Sequence, residues 1–345
     1  MTLGSGASDL KRHVRVGACL SLSGRYARFG AQAARALEAW RSLDGNADLV
    51  VQDDHSDPRT LETTIEGVAS GVDVLLGPYS TQLMRVAGRI AADSGWLLWN
   101  HGGSGDDVEE AHPGHVISVL TPTSRYAEPF VRRLGHDTPG SKLWIVQGRG
   151  SFGRQVSVGA EEAAARLGIE TERVSPDGLP PPGLAGRWDL FSAGTFEDDV
   201  TTVRQVLRRP DPPRMLCTVA AGVGEFADVV GDVTGVFAVG QWFQGRADGP
   251  ELGPSESAFL EAYRQRGGTR VPDYPAVQAV AAAVVATHCA RRASGVTRDL
   301  LWPMATDLDT STLFGGFKVD PRTGVQLKHE AVLARWTLQG LVAVG

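Results

Sequence analysis

The sequence predicts an α/β protein in two halves, each a parallel sheet covered by helices. Three observations predict it. Apolar runs of strand length alternate with longer amphipathic runs along most of the chain. The alternation restarts from a fresh first strand after Thr121. At 345 residues the chain is longer than a single core usually is, so two domains are expected.

The first half opens with VRVGACLSL, apolar on both faces, as a strand inside a parallel sheet reads. In RYARFGAQAARALEAWRSL, Phe29, Ala33, Ala36, Leu37 and Trp40 recur at helical spacing and form one apolar stripe. ADLVVQDD is the next strand. DPRTLETTIEGVASG then starts a helix with Asp57 as N-cap and Pro58 in its first turn, and Gly71 suits its end. VDVLLGP, TQLMRVAGRIAADSG and WLLWN continue as strand, helix and strand. An irregular polar stretch over 101–115 leads to the strand HVISVLTP.

The second half has a helix near Tyr126 to Leu134, the strand KLWIVQ, a helix over SFGRQVSVGAEEAAARLG and the strand IETERV. A Pro/Gly-rich loop, SPDGLPPPGLAGRW, comes next. It is followed by a helix near Val200 to Leu207, the strand MLCTVA, a short helix and the strand VFAVGQW. The tail gathers three helices, SESAFLEAYRQRGG, PAVQAVAAAVVATHCARRASG and TRDLLWPMATDL. It closes with GGFKVDPRTGVQLKHEAVLARWTLQGLVAV, where DPRTG reads as a hairpin turn with Gly324 at positive φ.

The net charge is −6 and the two signs are interspersed, which argues against a nucleic-acid partner. No segment has the apolar length of a membrane span. The most apolar run, AVQAVAAAVVATHCARRA, is interrupted by Gln278, His288 and two arginines. The first residues, MTLGSGASDLKRHVRVG, hold no apolar core of secretory-signal length. The expectation is a cytoplasmic chain if Met1 is the native start, and an extracellular or cell-surface one otherwise. Cys19, Cys217 and Cys289 are widely spaced among apolar neighbours and read as buried thiols.

Gly148, Gly150 and Gly153 form G-x-G-x-x-G between a strand and a helix, with Asp177 downstream, the context of a dinucleotide fingerprint. Two facts weigh against that reading. Glycine is 42 of the 345 residues, so such spacing arises readily by chance, and a whole α/β half precedes the motif. A plain strand-to-helix turn accounts for it.

Asp53, Asp54, His55 and Asp57 gather after a strand, and carboxylates with a histidine can hold a divalent metal. Asp57 is explained as a cap, however, and no metal-loop spacing is met. His112 and His115 read as loop residues. No nucleophile, base and orienter assemble in recognisable order, so neither an enzyme nor a cofactor or metal is expected. What stands out is the set of strand ends in the first half. SLSGRYARFG brings Phe29, GPYSTQ brings Tyr79, Ser80 and Thr81, and NHGGSG brings Gly102, Gly103 and Ser104. Ligands of open parallel sheets sit at such ends. Hydroxyls and bare N–H groups at helix starts suit an anionic group.

At these residues the chain resembles the branched-chain amino-acid binding proteins, the type I solute receptors of ABC importers. VRVGACLSLSGRYARFGAQAARALEAW, LVVQDDHSDP, VDVLLGPYSTQ and GWLLWNHGGSG resemble the first lobe of that family. SFGRQVSVGAEEAAARLG, VFAVGQW and TLFGGFKVDPRTGVQLKHEAVLARW resemble its second lobe. Each motif is loose, but the ordered set covers nearly the whole chain.

The resemblance implies two Rossmann-like lobes joined by three crossings, near 121–123, 246–252 and 312–316. Lobe 1 is then 14–121 plus 249–313 and lobe 2 is 122–248 plus 314–345, behind a flexible segment over 1–13. It implies a ligand pocket at Phe29, Thr81, Gly102, Gly103, Ser104 and, from lobe 2, Phe152. Trp242 falls where amino-acid-binding members carry an acid for the ammonium, so a free α-amino acid is not the expected ligand. Ser56 and Ser80 stand where several members pair two cysteines, which implies a reducing compartment. Two roles follow from the resemblance. One is a receptor that takes a carboxylate- or amide-bearing solute to an ABC permease. The other is a cytoplasmic sensor that answers to a regulatory protein. An NAD(P)-dependent oxidoreductase is the remotest reading.

Overall fold

The computed structural model describes residues 12–137, 142–179, 183, 188–246 and 249–344. The first lobe runs β1 (Val14–Leu20), α1 (Ala27–Asp44), β2 (Ala47–Asp53), α2 (Pro58–Ala69), β3 (Val74–Leu76), α3 (Thr81–Ser94), β4 (Leu98–Asn100), a short α4 (Asp107–Glu110) and β5 (Val116–Ser118). All five strands are parallel, in the order β2-β1-β3-β4-β5. Alternate β1 residues feed opposite faces of the sheet, as strand geometry requires. Val14, Val16, Ala18 and Leu20 pack with the α1 stripe of Phe29, Ala33, Ala36, Leu37 and Trp40. Cys19 packs on the other face with Leu61 and Ile65 of α2 and Leu83 of α3. Asp57 caps α2 as expected, its carboxylate accepting from Thr60 N–H at 2.8 Å.

The second lobe runs α5 (Glu128–Asp137), β6 (Lys142–Gln147), α6 (Gly150–Arg166), β7 (Thr171–Val174), β8 (Trp188–Ala193), α7 (Phe196–Leu207), β9 (Leu216–Thr218), α8 (Glu225–Val230) and β10 (Phe237–Gly240). Its strands follow β7-β6-β8-β9-β10, all parallel, which repeats the winding of the first lobe. Sequence reading missed β8. The expected Pro/Gly-rich loop includes Trp188, and most of its later part, 180–182 and 184–187, lies outside the described residues. Trp188 in fact begins a strand buried along its whole length. Two polar residues disguise it. Asp189 is paired with Arg214 at 2.8 Å, and Ser192 donates to Asp199 at 2.8 Å.

After β10 the chain returns to the first lobe as α9 (Glu256–Gln265), α10 (Tyr274–Arg292) and α11 (Arg298–Asp307). α10 is buried almost all round, against α1 and the first sheet. The hairpin β11 (Thr310–Thr312) and β12 (Gly315–Phe317) follows. β13 (Val332–Thr337) and β14 (Gly340–Ala343) close the chain, β13 antiparallel to β10 in the second sheet.

The third crossing differs from the expected 312–316. Phe314, Phe317 and Val319 lie in the first-lobe core. Ser118 N–H donates to the Gly324 carbonyl at 3.1 Å, and Gln326 Nε2 donates to the Val119 carbonyl at 3.3 Å. Residues 314–326 therefore stay with lobe 1, and the crossing follows them. In the expected crossing at 246–252, residues 247–248 lie outside the described residues, as does the N-terminal segment up to residue 11. The three crossings are tied together by buried side chains. Thr121 N–H donates to Gln241 Oε1 at 2.8 Å, and Thr121 Oγ1 lies 2.6 Å from His329 Nδ1.

Candidate functional site

Four helices begin at the gap between the lobes. On the first lobe these are α1, entered through Arg25 and Tyr26, and α3, entered through Ser80, Thr81 and Gln82. On the second they are α6, entered through Arg149 to Phe152, and α7, entered through Gly194 to Glu197. All these residues line one cavity of about 290 Å³, at the small end of ligand pockets. The first N–H groups of a helix have no carbonyl of their own helix to meet, and the helix dipole makes that end positive. Parallel sheets place helix starts at the carboxyl ends of strands, so both lobes aim such ends at the same space.

Seven of the residues singled out from sequence line this cavity: Phe29, Tyr79, Ser80, Thr81, Gly102, Ser104 and Phe152. Phe29 and Tyr79 lie 4.7 Å apart, and Tyr26 meets the Tyr79 ring edge-on at 5.7 Å. Phe152 meets Tyr126 edge-on across 5.9 Å. Ser80 holds a strained backbone, φ 91°, while its hydroxyl accepts from Leu83 N–H at 3.3 Å. Thr81 Oγ1 accepts from Gly105 N–H at 3.1 Å, and Ser104 Oγ accepts from Thr123 Oγ1 at 3.1 Å. Both hydroxyls keep a proton to donate.

Two residues singled out from sequence lie elsewhere. Gly103 is buried beside Met84, where a Cβ would come within 2.5 Å of the methionine, and its N–H donates to Asn100 Oδ1 at 2.9 Å. Its part is to let the loop pass under α3. Trp242 is only 3% exposed and packs in the first-lobe core, so it does not line the cleft. In the chain it follows Gln241, which holds Thr121, and precedes Phe243, which packs in the second-lobe core.

The cavity is cationic, a feature sequence reading missed. Arg25, Arg28, Arg85 and Arg149 line it against a single acid, Glu197. Arg28 donates to Glu225 at 2.7 Å, and its guanidinium lies over Phe29 at 4.6 Å and Phe196 at 4.2 Å. Its Nε is buried without a partner. Arg85 grips Asp107 through two hydrogen bonds, 2.6 and 2.8 Å, and reaches Ser151 of the second lobe at 3.2 Å. That guanidinium draws the Asp107 carboxyl down to about 2. The signal was present in GRYARFG, where two arginines three residues apart share a face at the start of a helix.

A model of the periplasmic binding protein family matches residues 13–185, half of the chain. The chain belongs to that family. No curated sequence matches it. Solved structures of the same fold include a leucine-binding protein from Thermotoga maritima, 13% identical with a TM-score of 0.77, covering 96% of this chain and 98% of that one. A solute-binding protein of an ABC transporter from Rhodopseudomonas palustris, in complex with p-hydroxybenzoic acid, is 15% identical with a TM-score of 0.79, covering 96% and 95%. A branched-chain amino-acid transporter binding protein from Streptococcus pneumoniae, in complex with isoleucine, is 13% identical with a TM-score of 0.76, covering 96% and 99%.

As a periplasmic binding protein the chain is a solute receptor, and its other motifs read as framework. A Cβ on Gly148 would lie 2.2 Å from Gly194 Cα, so the glycine run lets β6 and β8 end side by side at the cleft. Asp53 accepts from the N–H groups of Leu22, Ser23 and His55, and Asp54 from Ser21 Oγ at 2.7 Å. These acids shape the β1–α1 loop. Among the described residues no group of three or more His, Cys, Asp or Glu could hold a metal, and no helix is long and apolar enough to cross a membrane. The three cysteines are free and buried, and burial pushes the Cys19 thiol up to about 12.

Proposed function

We propose that the protein closes its two lobes on a small organic acid with an aromatic or apolar body and delivers it to an ABC permease. One observation carries the reading: four helix starts and four arginines converge on one cavity that holds a single acid. Helix starts and guanidinium groups both favour a carboxylate, and charge-assisted hydrogen bonds are the strong ones. Phe29, Tyr79 and Phe152 supply flat apolar walls for the body of the ligand. The p-hydroxybenzoic acid and 3,4-dihydroxybenzoic acid held by two proteins of this fold have that chemistry.

A free α-amino acid fits less well, although relatives in fold hold leucine and isoleucine. Its ammonium needs a carboxylate inside the cleft. Glu197 is 70% exposed at the mouth and lies 3.8 Å from Arg25. Trp242 stands outside this lining and has no part in the preference.

Calorimetry with benzoate, 4-hydroxybenzoate, isobutyramide, leucine and valine tests the proposal. Tight binding of an aryl carboxylate with no response to leucine or valine is the expected result. Micromolar binding of leucine or valine, with none of benzoate or its hydroxy derivative, would refute it.

A further inference from the structure

The long helix α10 is apolar almost throughout, yet Gln278 interrupts it. Gln278 is 2% exposed and lines the cleft. Tyr274, one turn earlier, lines it too, and so does Tyr79 of the first-lobe wall. Two other buried polar side chains, Thr287 and Gln241, are satisfied by the protein. Thr287, on the same helix, donates to the Ala283 carbonyl at 2.7 Å. Gln241 holds both backbone groups of Thr121 as well as the Tyr126 hydroxyl. By contrast, neither the Gln278 amide nor the Tyr79 and Tyr274 hydroxyls make a hydrogen bond among the described residues. These polar atoms open into the cleft and not into the core, and an apolar residue would serve α10 better if packing were its only task.

We propose that Gln278, with the Tyr79 and Tyr274 hydroxyls, determines specificity by binding a second, uncharged polar group at the buried end of the ligand. This rests on the receptor reading above, and it narrows the ligand to organic acids that carry a hydroxyl or carboxamide opposite the carboxylate. The placement of charge supports the orientation. Arg25 is 62% exposed, so positive charge marks the mouth. At the buried end the nearest acid is Asp273, adjacent to Tyr274, which accepts from Gly224 N–H and Gln32 Nε2, each at 2.8 Å. A carboxylate there would meet Asp273, and the one cation that acts on Asp273 and both tyrosines, Arg28, already donates to Glu225 at 2.7 Å. An amide and two phenols offer donors and acceptors together, which suits a hydroxyl or carboxamide. A site built to hydrogen-bond such a group rejects the analogue that lacks it.

The test pairs 4-hydroxybenzoate with benzoate in calorimetry on the wild type and on Gln278→Leu. The wild type should favour 4-hydroxybenzoate by about tenfold or more, and Gln278→Leu should erase that preference while still binding benzoate. Because Gln278 has no protein partner, the variant should also resist urea at least as well as the wild type. Three outcomes overturn the inference and leave the carboxylate reading standing: no wild-type preference between the probes, an unchanged preference in Gln278→Leu, or a destabilised variant that loses both probes equally. If the wild type binds neither probe, the carboxylate reading falls and this inference falls with it.

Discussion

Gln241 and Thr121 bind each other twice at the hinge. The glutamine Oε1 accepts from Thr121 N–H at 2.8 Å, and its Nε2 donates to the Thr121 carbonyl at 3.2 Å. The same Nε2 donates to the Tyr126 hydroxyl at 2.6 Å. The chain leaving β5 and the chain leaving β10 are therefore pinned to each other where they pass between the lobes.

Gln241→Leu should destabilise the protein by about 2–3 kcal/mol, because it strands two backbone groups and a phenol in a buried place. Urea unfolding measures this. A change below about 0.5 kcal/mol would mean that water or a shifted backbone satisfies the crossings without the glutamine.

Trp242→Phe should leave affinity for an aryl carboxylate within about twofold while costing about 1–2 kcal/mol of stability, since the indole packs in the first-lobe core and not in the cleft. Parallel calorimetry and urea unfolding separate the two effects. A large loss of affinity with unchanged stability would return Trp242 to the binding site.

The contrast between Phe29 and Trp242 shows what the sequence could tell. Phe29 lies on a long helix, where the 3.6-residue period fixes the side of the chain it faces. Trp242 lies in an irregular crossing, where no period operates and neighbouring residues turn to the hinge and to the cores of different lobes. The two-lobed fold was legible because α1, α2 and the flanking strands keep regular patterns. β8 was not, because Asp189 and Ser192 look like loop residues until Arg214 and Asp199 are seen beside them. The arginines of the cleft carry no local pattern in sequence beyond the pair in GRYARFG. Only the meeting of four helix starts from two lobes gives them one target.

Glu109 should give the protein a pH-dependent stability that can be removed. Burial pushes its carboxyl up from 4.5 to about 7, against hydrogen bonds from Asn100 and Ser118 that favour ionisation. Between those values the folded state keeps a proton that the unfolded state has released. This group therefore makes stability fall as pH rises from 4.5 to 7, by at most about 1.4 kcal/mol per unit, and has no such effect below that window. Glu109→Gln keeps an acceptor for Asn100 Nδ2 but cannot titrate. Urea unfolding at pH 5 and pH 7.5 should show a smaller difference in the variant than in the wild type. Parallel profiles would mean that Glu109 ionises at its ordinary value.

Arg28 offers the sharpest check on the nature of the ligand. Its Nε is buried without a partner in a cavity lined by four helix starts, while its Nη1 donates to Glu225 across the gap. A carboxylate on the ligand would accept from that Nε and complete its bonding. Arg28→Met keeps much of the apolar contact with Phe29 and Phe196 and removes the charge. Affinity for 4-hydroxybenzoate should fall by about 1.5–3 kcal/mol, the usual worth of a hydrogen bond to a charged group. Affinity for the uncharged 4-hydroxybenzamide should change far less. Calorimetry with both compounds decides the matter. Equal losses would show that Arg28 serves only to bring the lobes together through Glu225.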